Sequence, residues 1–222
     1  MIDPDRDCSL CPRLHGFIAT QRDAHPDWYN APVGTFFPPE GPDTVALLIV
    51  GLAPGLRGAN RTGRPFTGDY AGDLLYGTLQ KFGLCRGTFD ARPDDGIELV
   101  GTAITNAVRC VPPGNKPVGA EINSCRRFLS ATLEAMPRLR AILTLGKIAH
   151  DSTIRTLGAP VAAHPFGHNA RTHAAGYTVF SSYHCSRYNT NTGRLTEEMF
   201  TDVFRDAAAF LETGPQRRGQ FI

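Results

Sequence analysis

Lysine is nearly missing from this chain. Three of its 23 cationic side chains are lysine (Lys81, Lys116 and Lys147), and the rest are arginine. No apolar run approaches the roughly 20 residues a membrane helix needs, which excludes that class of span. The N-terminus, MIDPDRDCSLCPRL, has no apolar signal core. Strong net charge is absent too: the formal balance is +2. A pI near 8.3 falls below the footprint, above about 9, that marks nucleic-acid binding from charge alone. There is no repeat and no linker. Hydrophobic content of 41% over 222 residues and a mean hydropathy of -0.20 describe an ordinary globular chain that buries a core without disulfides. These absences predict a single cytoplasmic domain over 1–213 with a polar tail over 214–222. Disulfides are rare in that compartment, so six cysteines need another explanation.

Val45–Val50 (VALLIV) reads as a strand buried on both faces. It leads into Gly51–Gly68, a stretch with five glycines and two prolines. Residues 1–44 read as a Cys-bearing start and an irregular wrap. Helical spacing follows at Asp73–Phe82, a strand at Ile97–Val108, a loop at Pro112–Pro117 and a helix at Glu121–Met136. A strand at Leu139–Leu145, a helix over 147–157, a strand at Tyr177–Tyr183 and a helix capped by Thr196 complete the pattern. Strands alternating with helices predict an α/β fold, a three-layer α/β/α sandwich around a central parallel sheet. Ligands bind such sheets beyond the carboxyl ends of the strands. The loops after Val50, Val108 and Tyr183 are placed to meet there.

Cys8 and Cys11 form C-x-x-C, a turn that aims two thiolates at one centre, and Cys110 and Cys125 lie downstream. Four thiolates suit tetrahedral zinc or a four-iron four-sulfur cluster equally, and spacing does not choose between them. Cys85, beside a turn, reads as structural. Gly51-Leu52-Ala53-Pro54-Gly55 after a buried strand invites a nucleotide-loop reading, yet it is neither G-x-G-x-x-G nor a P-loop.

Three longer segments are more specific: GLAPGLRGANRTGRPFTGD (51–69), TNAVRCVPPGNKP (105–117) and SYHCSRYNTNTGRLT (182–196). Together, in this order, they resemble the uracil-DNA glycosylase superfamily, most closely its family 5, the iron–sulfur branch. The resemblance runs from Cys8 to the last helix. It implies a four-iron four-sulfur (4Fe-4S) cluster, structural in role, on Cys8, Cys11, Cys110 and Cys125. It also implies a monofunctional enzyme that hydrolyses the N-glycosidic bond of uracil, and of other deaminated bases such as hypoxanthine, in double- or single-stranded DNA. The enzyme would act as a monomer in base excision repair, with no membrane partner.

Such chemistry must stabilise cationic sugar and anionic base, on a base flipped out of the duplex. By the resemblance, His184 donates to uracil O2, Phe66 stacks on the base, and Asn106 reads the O4 and N3–H edge, since an amide both donates and accepts. Gly51, Ala53 and Pro54 line the base site. Other families carry a polar residue in that first stretch. Its absence here is a family 5 feature and leaves Asp69 as the matching carboxylate for water, with Asn115 as a second polar group. Asp69 also suits a helix N-cap, and the two roles are compatible. Many relatives have His-Pro-Ser where this chain has His184-Cys185-Ser186. Losing the proline loosens that turn and sets Cys185 beside the site as an oxidation point. Arg57, Arg61, Arg64, Ser186, Arg187 and Arg194 are the expected DNA contacts, arginines for phosphate charge. Two other readings compete. One is a superfamily member that holds uracil-DNA without turnover, disfavoured by the lack of a histidine between Arg57 and Arg64. The other is a zinc-stabilised α/β domain of unrelated function.

Overall fold

The computed structural model describes residues 2–213, and the polar tail read at 214–222 lies outside them. The first element is a helix, α1 (Pro12–Ala24), where sequence periodicity leaves residues 1–44 irregular. Its inward face holds only Leu14, Ile18 and Gln21, too narrow a stripe to register as amphipathic. The one local signal is Pro12 at the first helical position, where its missing N–H costs nothing.

The apolar run becomes β1 (Leu47–Gly51), buried at every position. The glycine-rich segment holds the short α2 (Ala59–Thr62), and α3 (Tyr70–Lys81) follows. The strand expected over Ile97–Val108 is broken. Its first part is β3 (Glu98–Leu99), paired antiparallel with β2 (Cys85–Arg86), and its second is β4 (Thr102–Asn106). Gly101 turns the chain between them at φ +56°, a conformation that favours glycine. Next come α4 (Gly119–Glu134), β5 (Ala141–Leu145), α5 (Lys147–Thr156), β6 (Ala170–Ala174), β7 (Tyr177–Ser182), α6 (Arg187–Asn191) and α7 (Glu197–Glu212).

The main sheet has the order β4-β1-β5-β7-β6. Its first four strands are parallel. The edge strand β6 is antiparallel to β7, so the sheet is mostly rather than wholly parallel. The β6–β7 hairpin turns at Ala175 and Gly176, both at positive φ (47° and 80°), as a two-residue turn of the primed type requires. Alternation along β1 splits the core. Leu47 and Ile49 face Leu75 and Leu79 of α3 and Phe200, Val203 and Phe204 of α7. Leu48 and Val50 face Leu129 and Leu133 of α4 and Ile154 of α5. This is the three-layer α/β/α sandwich. A third, smaller cluster seats Leu14 and Ile18 of α1 on Val108, Val111, Cys110 and Cys125. Chain order steps from β1 out to β4 and back to β5 on the other side of β1. The carboxyl end of β1 is therefore the switch point where such sheets open a crevice.

Candidate active site

The loops leaving β1 and β4 stay joined past the sheet, because the Ala107 and Val108 N–H groups donate to the Gly51 and Leu52 carbonyls at 2.9 and 3.0 Å. That brings Asn106, 3% exposed, beside Gly51. A Cβ at position 51 would stand 2.4 Å from Asn106 Oδ1 and 2.6 Å from Phe66 Cζ. Only glycine lets the amide and the ring approach across the strand end. Gly51→Ala is expected to leave the fold intact but displace one of the two groups, and a displacement of about 1 Å costs on the order of 10²-fold in rate. Single-turnover kinetics, read beside the melting temperature, check this.

Asp69 is the N-cap of α3, its carboxylate accepting the Ala71 N–H at 3.2 Å. It is also open to the crevice. Its Oδ2 lies where Gly55 and Gly58 have no side chain: a Cβ there would stand 2.8 and 2.4 Å away. The protein around it raises its pKa above the ordinary carboxylate value, by desolvation first, with the Ala71 and Gly72 N–H groups partly opposing.

His184 follows β7. Desolvation pushes its pKa down to about 4, so the imidazole is neutral at pH 7 and offers one N–H. Its ring centroid lies 6.0 Å from that of Phe66. The turn after it is held by two bonds: Asn189 Nδ2 donates to the His184 carbonyl at 2.8 Å, and the Ser186 hydroxyl caps α6. Cys185 is fully buried against α3, its thiol donating to the Ala71 carbonyl. It is a packing residue with no exposed sulfur, which argues against the oxidation point expected from its position.

A single cleft of about 530 Å³ is lined by Phe66, Asp69, Asn106, Asn115, His184, Ser186 and Arg187, along with Ala53 and Pro54. Asn115 sits on its rim at φ +57°. Sequence reasoning missed Tyr70, which also lines the cleft and lies under the Arg187 guanidinium at 5.3 Å. It missed Asn189 as well. Both lie inside or directly beside the quoted motifs, so position was the available signal. Arg57, Arg61, Arg187 and Arg194 are exposed, Arg194 over the Tyr183 ring in a neighbouring depression. Arg64 is the exception. It is 6% exposed and forks onto Asp95 with two bonds of 2.8 and 2.7 Å. A guanidinium so enclosed reaches no phosphate, which corrects its expected DNA contact.

Cys8, Cys11, Cys110 and Cys125 line one small cavity with Leu14, Val108 and Phe128. All four are free thiols. Desolvation, then the neighbouring sulfurs, raise the Cys110 pKa far above the usual thiol range. Cys125 is raised to about 11 by desolvation and by Cys11 and Cys8, against the Arg109 N–H that donates to its sulfur at 3.2 Å. Thiolates gathered this way repel unless a cationic centre joins them. The Arg13–Glu121 pair at 2.7 Å ties α1 to α4, the helices beside Cys11 and carrying Cys125. Among the described residues no group of three or more His, Cys, Asp or Glu stands close enough to hold one metal ion. Cys85 is buried in β2, as a structural residue would be.

The model of the uracil DNA glycosylase superfamily matches residues 38–208. A type-5 uracil-DNA glycosylase of Thermus thermophilus is 42% identical over 206 residues, covering 90% of this chain and 92% of that protein. A type-5 uracil-DNA glycosylase of Pyrobaculum aerophilum is 41% identical, covering 91% and 88%. A type-4 uracil-DNA glycosylase of Sulfurisphaera tokodaii is 28% identical, covering 75% and 72%.

Proposed function

The chain belongs to the uracil DNA glycosylase superfamily, alongside its type-5 members, and on that premise we propose that it hydrolyses the N-glycosidic bond of uracil in DNA. The observation that carries this is the single cleft at the switch point of the sheet, which gathers Phe66, Asp69, Asn106, Asn115 and His184.

The bond breaks with its electron pair passing to N1 of the base, and the charge spreads onto O2. The neutral His184 N–H meets that oxygen in a desolvated site, where a fixed donor is worth most. Asn106 pairs with O4 and N3–H, and Phe66 stacks on the ring. The water oxygen bonds to C1′ of the sugar, and Asp69, ionised above its raised pKa, takes the proton that water loses. That proton then passes to the departing base. The products are free base and an abasic sugar. Among the described residues lining the cleft none is a lysine, so no amine is placed to form a Schiff base, and hydrolysis without strand cleavage follows. The exposed Arg57, Arg61, Arg187 and Arg194 meet phosphates of double- or single-stranded DNA, and affinity falls as salt rises. The cleft volume also admits a deaminated purine such as hypoxanthine. The protein acts as a monomer.

The four cysteines fit a 4Fe-4S cluster by donor type and by facing one cavity. A cluster spreads its thiolates over four irons. When bound it would supply a cross-link between the N-terminal segment, the loop after β4 and α4. No helix among the described residues is long and apolar enough to cross a membrane.

Abasic-site formation in a uracil-containing duplex tests the activity; intact wild-type protein that yields none overturns it. A panel with hypoxanthine, xanthine and ethenocytosine defines the range. Iron and acid-labile sulfide are expected in the purified protein, and zinc alone would overturn the cluster.

A further inference from the structure

Phe66 adopts φ +53°. A bulky aromatic in the left-handed region persists only where its surroundings over-determine it, and here they do. The Pro65 carbonyl, before the ring, accepts the Tyr76 hydroxyl at 2.8 Å. The Thr67 carbonyl, after it, accepts the Thr62 hydroxyl at 3.0 Å. The Phe66 carbonyl itself presses on Gly72, where a Cβ would stand 2.0 Å from the oxygen.

The most specific tether starts from Arg64. Its Nε donates to Thr67 Oγ1 at 2.7 Å, and Thr67 Oγ1 lies 3.2 Å from the Pro65 carbonyl. Arginine only donates, so Thr67 Oγ1 accepts from Arg64 and keeps its own hydroxyl proton for the Pro65 carbonyl. The relay Arg64 to Thr67 to Pro65 therefore brackets Phe66 from both sides with fixed polarity. Arg64 is in turn held by Asp95, whose side chain has no exposed surface. Asp95 also accepts the Asp90 and Ile97 N–H groups at 3.0 and 3.1 Å. The guanidinium faces the Phe36, Tyr76 and Phe89 rings at 5.4–5.8 Å. A buried pair of this kind is weak as a source of stability, and its best-attested use is fixing register.

We propose that Arg64 and Asp95 are positioning residues that, through Thr67, hold the Phe66 ring in the orientation against which the flipped base stacks. This rests on the reading of Phe66 as the stacking group. A lysine at 64 keeps the charge but cannot supply the fork and the Nε bond together.

The test is a double-mutant cycle in which kcat and KM are measured separately on uracil-containing duplex. Arg64→Lys and Asp95→Asn are each expected to lower kcat on the order of 10²-fold, with at most a smaller rise in KM, because no phosphate contact is lost. Thr67→Val, which removes the relay hydroxyl and leaves the ion pair, is expected to do the same and covers the case in which the charge variants fail to fold. In a Phe66→Leu background, where there is no aromatic ring to orient, the further loss should vanish. Equal losses in both backgrounds would mean the pair only supports the fold and would overturn the proposal. Wild-type kcat in Phe66→Leu by itself would instead overturn the stacking role, and the proposal with it.

Discussion

His184→Ala is expected to lower kcat by about 10²–10³-fold, the loss seen when one preorganised donor to a developing oxyanion is removed. The size follows from the site: the imidazole is desolvated, its pKa lies near 4, and its backbone carbonyl is anchored by Asn189 at 2.8 Å. His184→Gln, which keeps an N–H donor, should recover part of the loss. Because the ring is neutral from pH 8 down to about 5, no rise in rate is expected from its protonation across that range. A rate that climbs as the pH falls from 7 to 6, and loses that climb in His184→Gln, would show that the imidazolium is the active form.

The same depressed pKa sets a stability trend. The unfolded chain binds a proton at an ordinary histidine near pH 6.5, while the folded chain refuses it until about pH 4. Stability from this group is therefore complete above pH 6.5 and is lost as the pH falls toward 4, with a total on the order of 3 kcal/mol. Denaturant titrations at pH 7 and 4.5 should show this loss in the wild type and its absence in His184→Gln.

Much of this site was legible because its backbone determinants are local. A continuous apolar run gave β1, a carboxylate before a helical stripe gave the Asp69 cap, and strand ends in an α/β pattern gave the crevice. What was hidden depends on partners distant in sequence. Arg64 sits among exposed arginines of one loop and looks like them; its burial is decided by Asp95, 31 residues on. Helix α1 carries a two-leucine-sized seat rather than an amphipathic face, and its place is set by the loop after β4 and by Arg13–Glu121. Strand β6 (ARTHA) covers only a sheet edge, so it needs no apolar run. The fully buried Cys185 shows the same limit: the strand end placed it beside the cleft, but the packing of α3 decided that its sulfur faces inward.

Asp69→Asn is the substitution that separates the N-cap role of this side chain from its proposed role as the base for water. Asparagine is as good an N-cap as aspartate, so the α3 terminus should keep its bond to Ala71 and the melting temperature should hold. The charge, and with it the capacity to take a proton from water, is lost, and kcat should fall by about 10²–10⁴-fold, the range for a positioned general base. Asp69→Ala removes both functions and should add a stability loss of about 1 kcal/mol to a similar rate defect. The pH profile carries a further sign. The Asp69 pKa is raised by desolvation, outweighing the two N–H bonds that favour the anion. The acid limb of the wild-type rate should therefore lie above the ordinary carboxylate value of 3.8, and Asp69→Asn should flatten it. If Asp69→Asn keeps wild-type kcat while Asp69→Ala loses only stability, the carboxylate is a cap alone. Hydrolysis would then rest on His184 and Asn106 stabilising the departing base.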